Sequence, residues 1–392
     1  MNVLTALDNG EVATGLFVDL SKAFDTVNHE KLLEKMYAYG IRGNIYELFK
    51  SYLKDRKQII AIKSKNRETY SDPTTINVGI PQGSILGPIL YILYTNDLPN
   101  VTDDPMSMYA DDTNLNINSD SAEECAANII NNTQALNEYF GANDLSMNLE
   151  KNKIVHFKLN NSAKSMLTRD KIITESNVTI SENANILGLT VDSNLNFSDH
   201  IENLCKKLSR ASYALYLVRK HCNIEAAKIA YFGYFQSNMN YALLFWGSAP
   251  DCYINRVFIL QKRALRGMCQ LPPYTPCKQH FVDNKILTLP CLYIMELLMF
   301  VRKNPNRFAS NKSKSNINTR NQNKLSIPTH TTSKFEKSPY YMCITAHNKL
   351  PPNLVNEPSH NIFRNIIKKT LIEKAYYSVQ EFLNDTKVFS QK

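Results

Sequence analysis

Residues 14–20, Thr-Gly-Leu-Phe-Val-Asp-Leu, form an apolar run that contains one carboxylate, Asp19. A continuous apolar run of this length is typical of a buried strand. An isolated charge in such a strand is costly unless a partner compensates it. The run therefore restricts the fold to one in which a cation or a polar site lies at the end of a core strand.

A second acidic feature is the pair Asp111-Asp112, which we expect at the tip of a β-hairpin over residues 107–117. Adjacent aspartates in a turn are often simple turn formers. Together with Asp19, however, they favour a bound cation, because Mg²⁺ prefers oxygen ligands from one or two carboxylates and from substrate phosphates. Carboxylates at neighbouring strand ends that hold two such ions are typical of phosphoryl transfer. A metal-dependent nuclease could use the same acids, but no histidine that could act as a general base stands near them.

Hydrophobic periodicity predicts an α+β fold in which strands and helices alternate in the first half and helices dominate the second. The apolar spacing and the turn residues place the elements as follows. Strands are predicted at 14–20, 57–64, 74–80, 107–117, 153–159 and 186–191, and helices after Asn28, around 45–53, 84–96, 122–143, 200–241, 254–268, 290–302 and 362–383.

Three stretches carry a family resemblance: Phe-Val-Asp-Leu-Ser-Lys-Ala-Phe-Asp at 17–25, Gly-Ile-Pro-Gln-Gly-Ser-Ile-Leu-Gly-Pro at 79–88 and Tyr-Ala-Asp-Asp at 109–112. In this order they resemble three successive motifs of the reverse transcriptase palm. The sequence of residues 51–56 is similar to that of the polymerases of insect non-LTR retrotransposons of the jockey group. Residues 148–151 and 187–192 resemble the next two palm motifs, and 261–266 and 287–290 resemble the region behind the palm.

The resemblance implies a polymerase palm, an antiparallel sheet with helices on one face, followed by a mostly helical thumb-like and C-terminal region. It divides the chain into a palm at 1–195 and a helical thumb-like region at 196–301. Residues 302–337, with nine basic residues against Glu336, we expect to be a disordered basic linker. Residues 338–392 then form a C-terminal helical segment.

The resemblance also implies the site residues. Asp19 and Asp111 match the carboxylates that bridge two Mg²⁺ ions, for which Mn²⁺ can substitute, with Asp112 as the adjacent acid and the Leu20 carbonyl as a further ligand. Phe24 matches the bulky residue under the incoming sugar, where a 2′-hydroxyl would clash. Gln82 and Gly83 match the nucleotide pocket. Lys151 matches a lysine near the triphosphate, although its usual companion threonine is Asn152 here.

The basic side chains of the second half are expected to contact nucleic-acid phosphates. Residues 1–200 hold 17 basic and 26 acidic side chains, whereas residues 302–392 hold 16 and 5, so the net charge of +9 combines two unlike halves. Phosphate contacts of this kind are independent of sequence. The candidates on helices where the family has its thumb are Arg210, Lys262, Arg263 and Arg266.

The implied function is an RNA-directed DNA polymerase that adds deoxynucleotides to a DNA primer on an RNA template, with template RNA, DNA primer and deoxynucleoside triphosphates as partners. Only eighteen residues precede Asp19, so we expect a chain truncated ahead of the palm, without fingers or endonuclease, and weak or inactive alone. The alternative is a catalytically inert nucleic-acid-binding remnant. The eight cysteines include no Cys-x-x-Cys pair, and the sequence shows no signal peptide and no apolar run long enough to span a bilayer. These features predict a soluble intracellular protein without a membrane partner, in the nucleus or the cytoplasm.

Overall fold

The computed structural model describes residues 2–65, 67–148, 150–159, 178–310 and 324–389. Within these residues the chain forms two compact units, one of residues 10–187 and one of residues 188–392 together with 3–9. The division therefore lies a few residues before the domain boundary predicted at 195.

The first unit contains the main sheet of the described residues. Helix α1 (Asn2–Asn9) precedes it, and its strands and helices are β1 (Val12–Val18), α2 (His29–Ala38), α3 (Gly43–Leu53), β2 (Arg56–Gln58), β3 (Ala61–Ser64), β4 (Arg67–Tyr70), β5 (Thr74–Ile76), α4 (Leu86–Thr95), a 3₁₀ turn (Leu98–Val101), β6 (Met106–Tyr109), β7 (Asp112–Ser119), α5 (Ala122–Ala142), β8 (Lys153–Phe157), β9 (Thr179–Ile180) and β10 (Asn183–Ile186).

The described strands of the main sheet have the order β6-β7-β1-β8-β9. Strand β1 is central and pairs antiparallel with both β7 and β8, and only the short β8–β9 pair is parallel. Strand β7 alternates strictly, with Thr113, Leu115 and Ile117 buried and the intervening asparagines half-buried. This alternation is typical of a strand with one covered face. Helix α5 packs against β7 and β1 on that face. The α+β prediction is confirmed.

The second unit is mainly helical, as predicted. It contains β11 (Leu189–Asp192), α6 (Ser198–His221), α7 (Ile224–Ala230), a π-helical turn (Tyr231–Gln236), α8 (Ser237–Asn240), α9 (Leu243–Trp246), α10 (Asp251–Cys269), α11 (Lys278–Asp283), α12 (Leu289–Lys303), a 3₁₀ turn (Pro305–Arg307), α13 (Ser333–Glu336), α14 (Pro339–His347), α15 (Pro352–Val355), α16 (His360–Lys374) and α17 (Val379–Asn384).

The segments 261–266 and 287–290, the last two motifs of the sequence analysis, meet in the core of this second unit. The buried amide of Gln261 on α10 donates to the carbonyl of Leu287 at 2.9 Å, and its Oε1 accepts from the backbone N–H of Leu289 at 2.8 Å. The same amide also donates to the hydroxyl of Tyr231 at 3.0 Å. A buried polar side chain is tolerated when its hydrogen bonds are made. These motifs therefore join α10 to the start of α12.

The motif at 187–192 has a structural role as well. Asp192, almost fully buried, accepts hydrogen bonds from the backbone N–H groups of Asn194, Asn196 and Ser198. A carboxylate that satisfies free N–H groups at a helix start is stabilising, because those groups lack partners within the helix. Asp192 thus fixes the entry into α6.

The segment predicted to be a disordered linker, 302–337, differs from the expectation at both described ends. Its first residues complete α12 and form a 3₁₀ turn, and residue 310 bridges to residue 325. Near its end, the side chain of Asp8 accepts hydrogen bonds from the backbone N–H groups of Thr331 and Thr332. The middle of this predicted linker, 311–323, lies outside the described residues.

In the part of the chain that the structure describes, no helix is long and apolar enough to cross a membrane.

Candidate functional site

Asp19 lies one residue beyond the end of β1 and keeps its side chain about a quarter exposed, with a relative accessibility of 26%. The last pair between β1 and β7 is Val18 with Thr113. Asp112 directly precedes Thr113, so the antiparallel register places Asp19 and Asp112 next to each other at neighbouring strand ends. A sheet thus brings together two carboxylates that are far apart in the sequence.

The hairpin between β6 and β7 positions the other acid. Tyr109 pairs with Asp112, so the turn has two residues, Ala110 and Asp111. Ala110 has a φ of 53°, in the left-handed region that costs a non-glycine residue about 1–2 kcal/mol. The prediction that both aspartates lie at the tip is therefore wrong for Asp112, which is the first residue of β7, because the two-residue turn leaves room for Asp111 alone.

The negative charges of Asp111 and Asp19 act on the ionisation of Asp112. The pKa of Asp112 is raised, first by burial and then by the negative charges of Asp111 and Asp19. Tyr91 on α4 also has a raised pKa, mainly through burial and additionally through the charge of Asp111. Negative charge is therefore concentrated at the end of β1 and β7, where a cation would relieve the repulsion.

Lys151 supplies a cation to this group. Its Nζ lies 2.8 Å from Oδ2 of Asp19. The hydrogen bond to Asp19 and the charges of Asp19 and Asp111 raise the pKa of Lys151. The lysine that the resemblance assigns to the triphosphate thus lies at the acidic cluster formed by Asp19, Asp111 and Asp112.

The turn at 148–152 also holds the backbone of Asp19, which sequence reasoning missed. The N–H of Asn148 donates to the Asp19 carbonyl at 2.8 Å. On the other side, the Asp19 N–H donates to Oδ1 of Asn152 at 2.8 Å. Asn152 was noted only as a departure from the family's threonine. The signal was its polar type next to Lys151, but sequence spacing cannot show which backbone group its side chain reaches.

Leu20 forms an isolated antiparallel bridge with Met147. The two hydrogen bonds of this bridge use the carbonyl of Asp19 and the N–H of Ser21, the residues on either side of Leu20. The assignment of its carbonyl as a metal ligand stays a prediction.

Phe24 is half-buried and stacks on Tyr91, with ring centroids 4.6 Å apart and an interplanar angle of 23°. Its carbonyl accepts from the N–H of Ile80 at 2.9 Å, which ties the turn after Asp19 to the Gly-Ile-Pro-Gln-Gly stretch. Gln82 follows and donates from Nε2 to Asp25 at 2.8 Å. The structure therefore joins the first and second motifs through this turn, and Asp25 contacts Gln82.

Gly79 is required at this junction. Its φ is +87°, and a Cβ atom there would lie 2.8 Å from the carbonyl oxygen of Asp25. Gly83 also has a positive φ, of +81°, but a Cβ at this exposed position would meet no described atom within 4 Å. The two glycines thus differ: Gly79 permits a close backbone approach, whereas Gly83 leaves open space beside Gln82.

The four predicted phosphate-binding residues belong to the second unit. Arg210 and Arg263 are exposed. Lys262 is half-buried with its Nζ 4.7 Å from the ring centroid of Phe258. Arg266 donates from Nε to the carbonyl of Thr275 at 3.0 Å. Arg210 and Arg263 therefore present their charges to solvent, while Lys262 and Arg266 also serve the packing of their own unit.

The donor chemistry of the acidic cluster fits a hard divalent cation. It offers carboxylate oxygens, the type of ligand that Mg²⁺ prefers, and the pKa of Asp112 is raised by burial and by the nearby charges of Asp111 and Asp19. Among the described residues, no three His, Cys, Asp or Glu side chains are arranged closely enough to hold a metal ion as they stand. The fit therefore rests on the kind of donors at Asp19, Asp111 and Asp112.

Residues 3–191 match the family described as reverse transcriptase (RNA-dependent DNA polymerase). Three Drosophila melanogaster proteins are similar to the chain. The probable RNA-directed DNA polymerase from transposon BS is 28% identical over 70% of this chain, and that from transposon X-element is 29% identical over 67%. The RNA-directed DNA polymerase from mobile element jockey is 28% identical over 72% of this chain. These matches cover 31%, 29% and 31% of the relatives' own lengths, so the chain spans about a third of each.

Among solved structures, apo telomerase from Candida tropicalis aligns with 72% of this chain and 48% of its own, at 15% identity and a TM-score of 0.36. Telomerase from Candida albicans aligns with 72% of this chain and 50% of its own, at 11% identity and a TM-score of 0.31. The match of residues 3–191 contains Asp19, Asp111 and Asp112, and the relatives' similarity extends into the second unit. Residues 3–191 therefore match the reverse transcriptase family, and the chain is similar to the RNA-directed DNA polymerases of jockey and related Drosophila transposons.

Proposed function

We propose that this chain carries out RNA-directed DNA synthesis, adding deoxynucleotides to the 3′-hydroxyl of a DNA primer on an RNA template. The observation that supports this most is the grouping of Asp19, Asp111 and Asp112 at neighbouring strand ends, inside the segment that matches the reverse transcriptase family. The chain covers only about a third of its relatives' length, so activity and partners are carried over as parts of this proposal.

Divalent metal ions are generally used by reverse transcriptases, and two Mg²⁺ ions, or Mn²⁺ in their place, would activate the primer hydroxyl and stabilise the charge of the phosphoryl transfer. Asp19 and Asp111 would hold these ions with their carboxylates. Asp112 would contribute a further oxygen, and Leu20 its carbonyl. The chain itself then mainly positions reactants and neutralises charge, as in other phosphoryl transfers.

The surrounding residues would orient the incoming nucleotide. Phe24, held by its stack on Tyr91, would lie under the incoming sugar, where its ring would clash with a 2′-hydroxyl. Gln82 and Gly83 would line the base and template side. Lys151, with its positive charge at the acidic cluster, would meet the triphosphate.

The substrates would be template RNA, a DNA primer and deoxynucleoside triphosphates. The exposed guanidinium groups of Arg210 and Arg263 support contacts with nucleic-acid phosphates, whereas Lys262 and Arg266 would contribute with the charge that remains accessible. Such contacts are independent of base sequence and weaken as salt rises.

Primer extension tests the proposal. The purified chain, supplied with an RNA template, a labelled DNA primer, deoxynucleotides and Mg²⁺, is expected to lengthen the primer slowly but measurably. Asp111→Asn is expected to reduce the rate at least about 100-fold, because loss of one group that stabilises transition-state charge costs this much. Asp120→Asn is the matched control, since Asp120 is exposed just beyond the opposite end of β7, and it should extend at the unaltered rate.

Absence of extension by the unaltered chain, or equal rates for Asp111→Asn and the unaltered chain, would contradict the proposal. A gel-shift assay with the same RNA then separates the alternative. Salt-sensitive RNA binding without any extension would identify a catalytically inert nucleic-acid-binding protein.

A further inference from the structure

Asn152 is fully buried at the start of β8, and its side chain reaches across to the end of β1. Its Oδ1 accepts the hydrogen bond from the backbone N–H of Asp19 at 2.8 Å. A backbone N–H can only donate, so this contact fixes which end of the amide faces Asp19. The other end, Nδ2, is buried and finds no hydrogen-bond acceptor among the described residues.

The bond lies where the sheet itself no longer holds Asp19. The pairing of β1 with β8 ends at Phe17 opposite Lys153, and its pairing with β7 ends at Val18 opposite Thr113. The N–H of Asp19 therefore falls one residue outside the ladder with β7. The side-chain amide of Asn152 provides the acceptor for this N–H, beyond the point where the pairing with the neighbouring strand ends.

The same turn holds Asp19 at two further points. Asn148 donates its N–H to the Asp19 carbonyl, and Lys151 places its Nζ against the Asp19 carboxylate. The amide, the carbonyl and the carboxylate of one residue are thus all bound by residues 148–152. Two of these contacts fix the backbone of Asp19 and thereby the point from which its side chain extends. The third contact can adapt to the position of the carboxylate, because the Lys151 side chain is long and exposed.

We propose that Asn152 is a positioning residue for Asp19: its buried amide extends the hold of the sheet by one residue and fixes the Asp19 carboxylate relative to Asp112. The catalytic meaning of this role rests on the proposed function, whereas the positioning itself does not. Asn152 is fully buried and acts through its bond to Asp19.

Stability alone does not account for an asparagine here. A leucine of similar size would lose the bond to Asp19 but would also remove the buried Nδ2, which is costly without a partner. The two changes oppose each other, because the Asp19 N–H loses its acceptor while an unpaired buried donor is removed. We therefore expect Asn152→Leu to melt close to the temperature of the unaltered chain, while Asp19 becomes loosely held.

Residue-resolved hydrogen exchange on the full chain tests the positioning without any catalysis. In the unaltered chain the Asp19 amide should exchange slowly, as the ladder amide of Leu16 does. Asn152→Leu should speed exchange at Asp19 roughly five- to tenfold relative to Leu16, the effect of losing one hydrogen bond. Asn152→Asp retains an acceptor at the same position and should keep the slow exchange.

Thr179→Val is the matched control. Thr179 donates from Oγ1 to the carbonyl of Asn152 at 3.1 Å, so this variant removes a bond to the same residue without affecting its side chain. Exchange at Asp19 should stay within about twofold of the unaltered chain, since one bond is lost elsewhere.

Two functional measurements separate positioning from a merely structural role. Mn²⁺ binding, followed by the paramagnetic resonance of the free ion, should weaken at least about threefold in Asn152→Leu and stay unchanged in Thr179→Val, because only the former frees a carboxylate. In primer extension, Asn152→Leu should lower kcat with little change in the KM for deoxynucleotides.

Fast Asp19 exchange in the unaltered chain would overturn the proposal, and this measurement needs no variant. So would an Asn152→Leu chain with unchanged Asp19 exchange and Mn²⁺ affinity, or one that only melts earlier. If the unaltered chain extends no primer, the proposed function fails, but exchange and Mn²⁺ binding still decide the role of Asn152. If Asn152→Leu does not fold, slow exchange at Asp19 in both the unaltered chain and Asn152→Asp supports the proposal.

Discussion

The buried amide of Gln261 allows a quantitative prediction about the second unit. Gln261→Met keeps an unbranched side chain of similar length but removes both hydrogen-bonding ends. The Leu287 carbonyl and the Leu289 N–H would then lose a partner inside the core, since both residues are almost fully buried. Tyr231 is fully buried too and would lose the donor to its hydroxyl.

The expected loss follows from these groups. A buried backbone group left without a partner costs about 1–3 kcal/mol. Two such groups give about 2–6 kcal/mol, partly offset by the more favourable burial of methionine, so we expect about 3 kcal/mol. With a urea slope of about 2 kcal/mol/M, the unfolding midpoint should fall by about 1.5 M.

The fluorescence of Trp246 is a suitable probe, because it is the only tryptophan of the sequence and lies fully buried in the same unit. Gln279→Met is the matched control. Gln279 is exposed and donates only to Asp283 four residues on, so its replacement should change the free energy of unfolding by less than about 0.5 kcal/mol. A Gln261→Met midpoint within the range of this control would refute the reasoning that the amide joins the two motifs.

Two further predictions concern the first unit. Gly79→Ala should lower the free energy of unfolding by about 1–3 kcal/mol more than Gly10→Ala, measured by circular dichroism during urea unfolding, because both glycines have a φ above +80° but only the Gly79 Cβ would meet the Asp25 carbonyl, at 2.8 Å. Equal losses would show that the close approach is unimportant. Asp112→Asn should raise the melting temperature at about pH 7 but not at about pH 3. The pKa of Asp112 in the folded chain is raised above 3.8, first by burial and then by the charges of Asp111 and Asp19. The destabilisation caused by its charge is therefore absent below 3.8 and complete above the raised pKa. An advantage independent of pH would contradict the repulsion from Asp111 and Asp19.

Local pattern predicted much of the secondary structure. The alternation of β7 and the cap at Asn28, whose side chain accepts from the N–H groups of Glu30 and Lys31, follow directly from periodicity and helix-start chemistry. The pattern erred where backbone geometry interrupts it. The single helix predicted at 362–383 is two helices, His360–Lys374 and Val379–Asn384, separated after Ala375, which has a φ of 44°.

The sequence by itself determined which side chains could form the site, because the acids at 19, 111 and 112 and the aromatic ring at 24 stand in stretches whose order and composition indicate a reverse transcriptase. The tertiary structure decided how they meet. The strand register sets Asp19 beside Asp112, the turn at 148–152 binds Asp19 through Asn152, and Gln261 joins two distant motifs. Periodicity reports which face of an element is buried, whereas a hydrogen bond between distant residues depends on the packing of the whole unit.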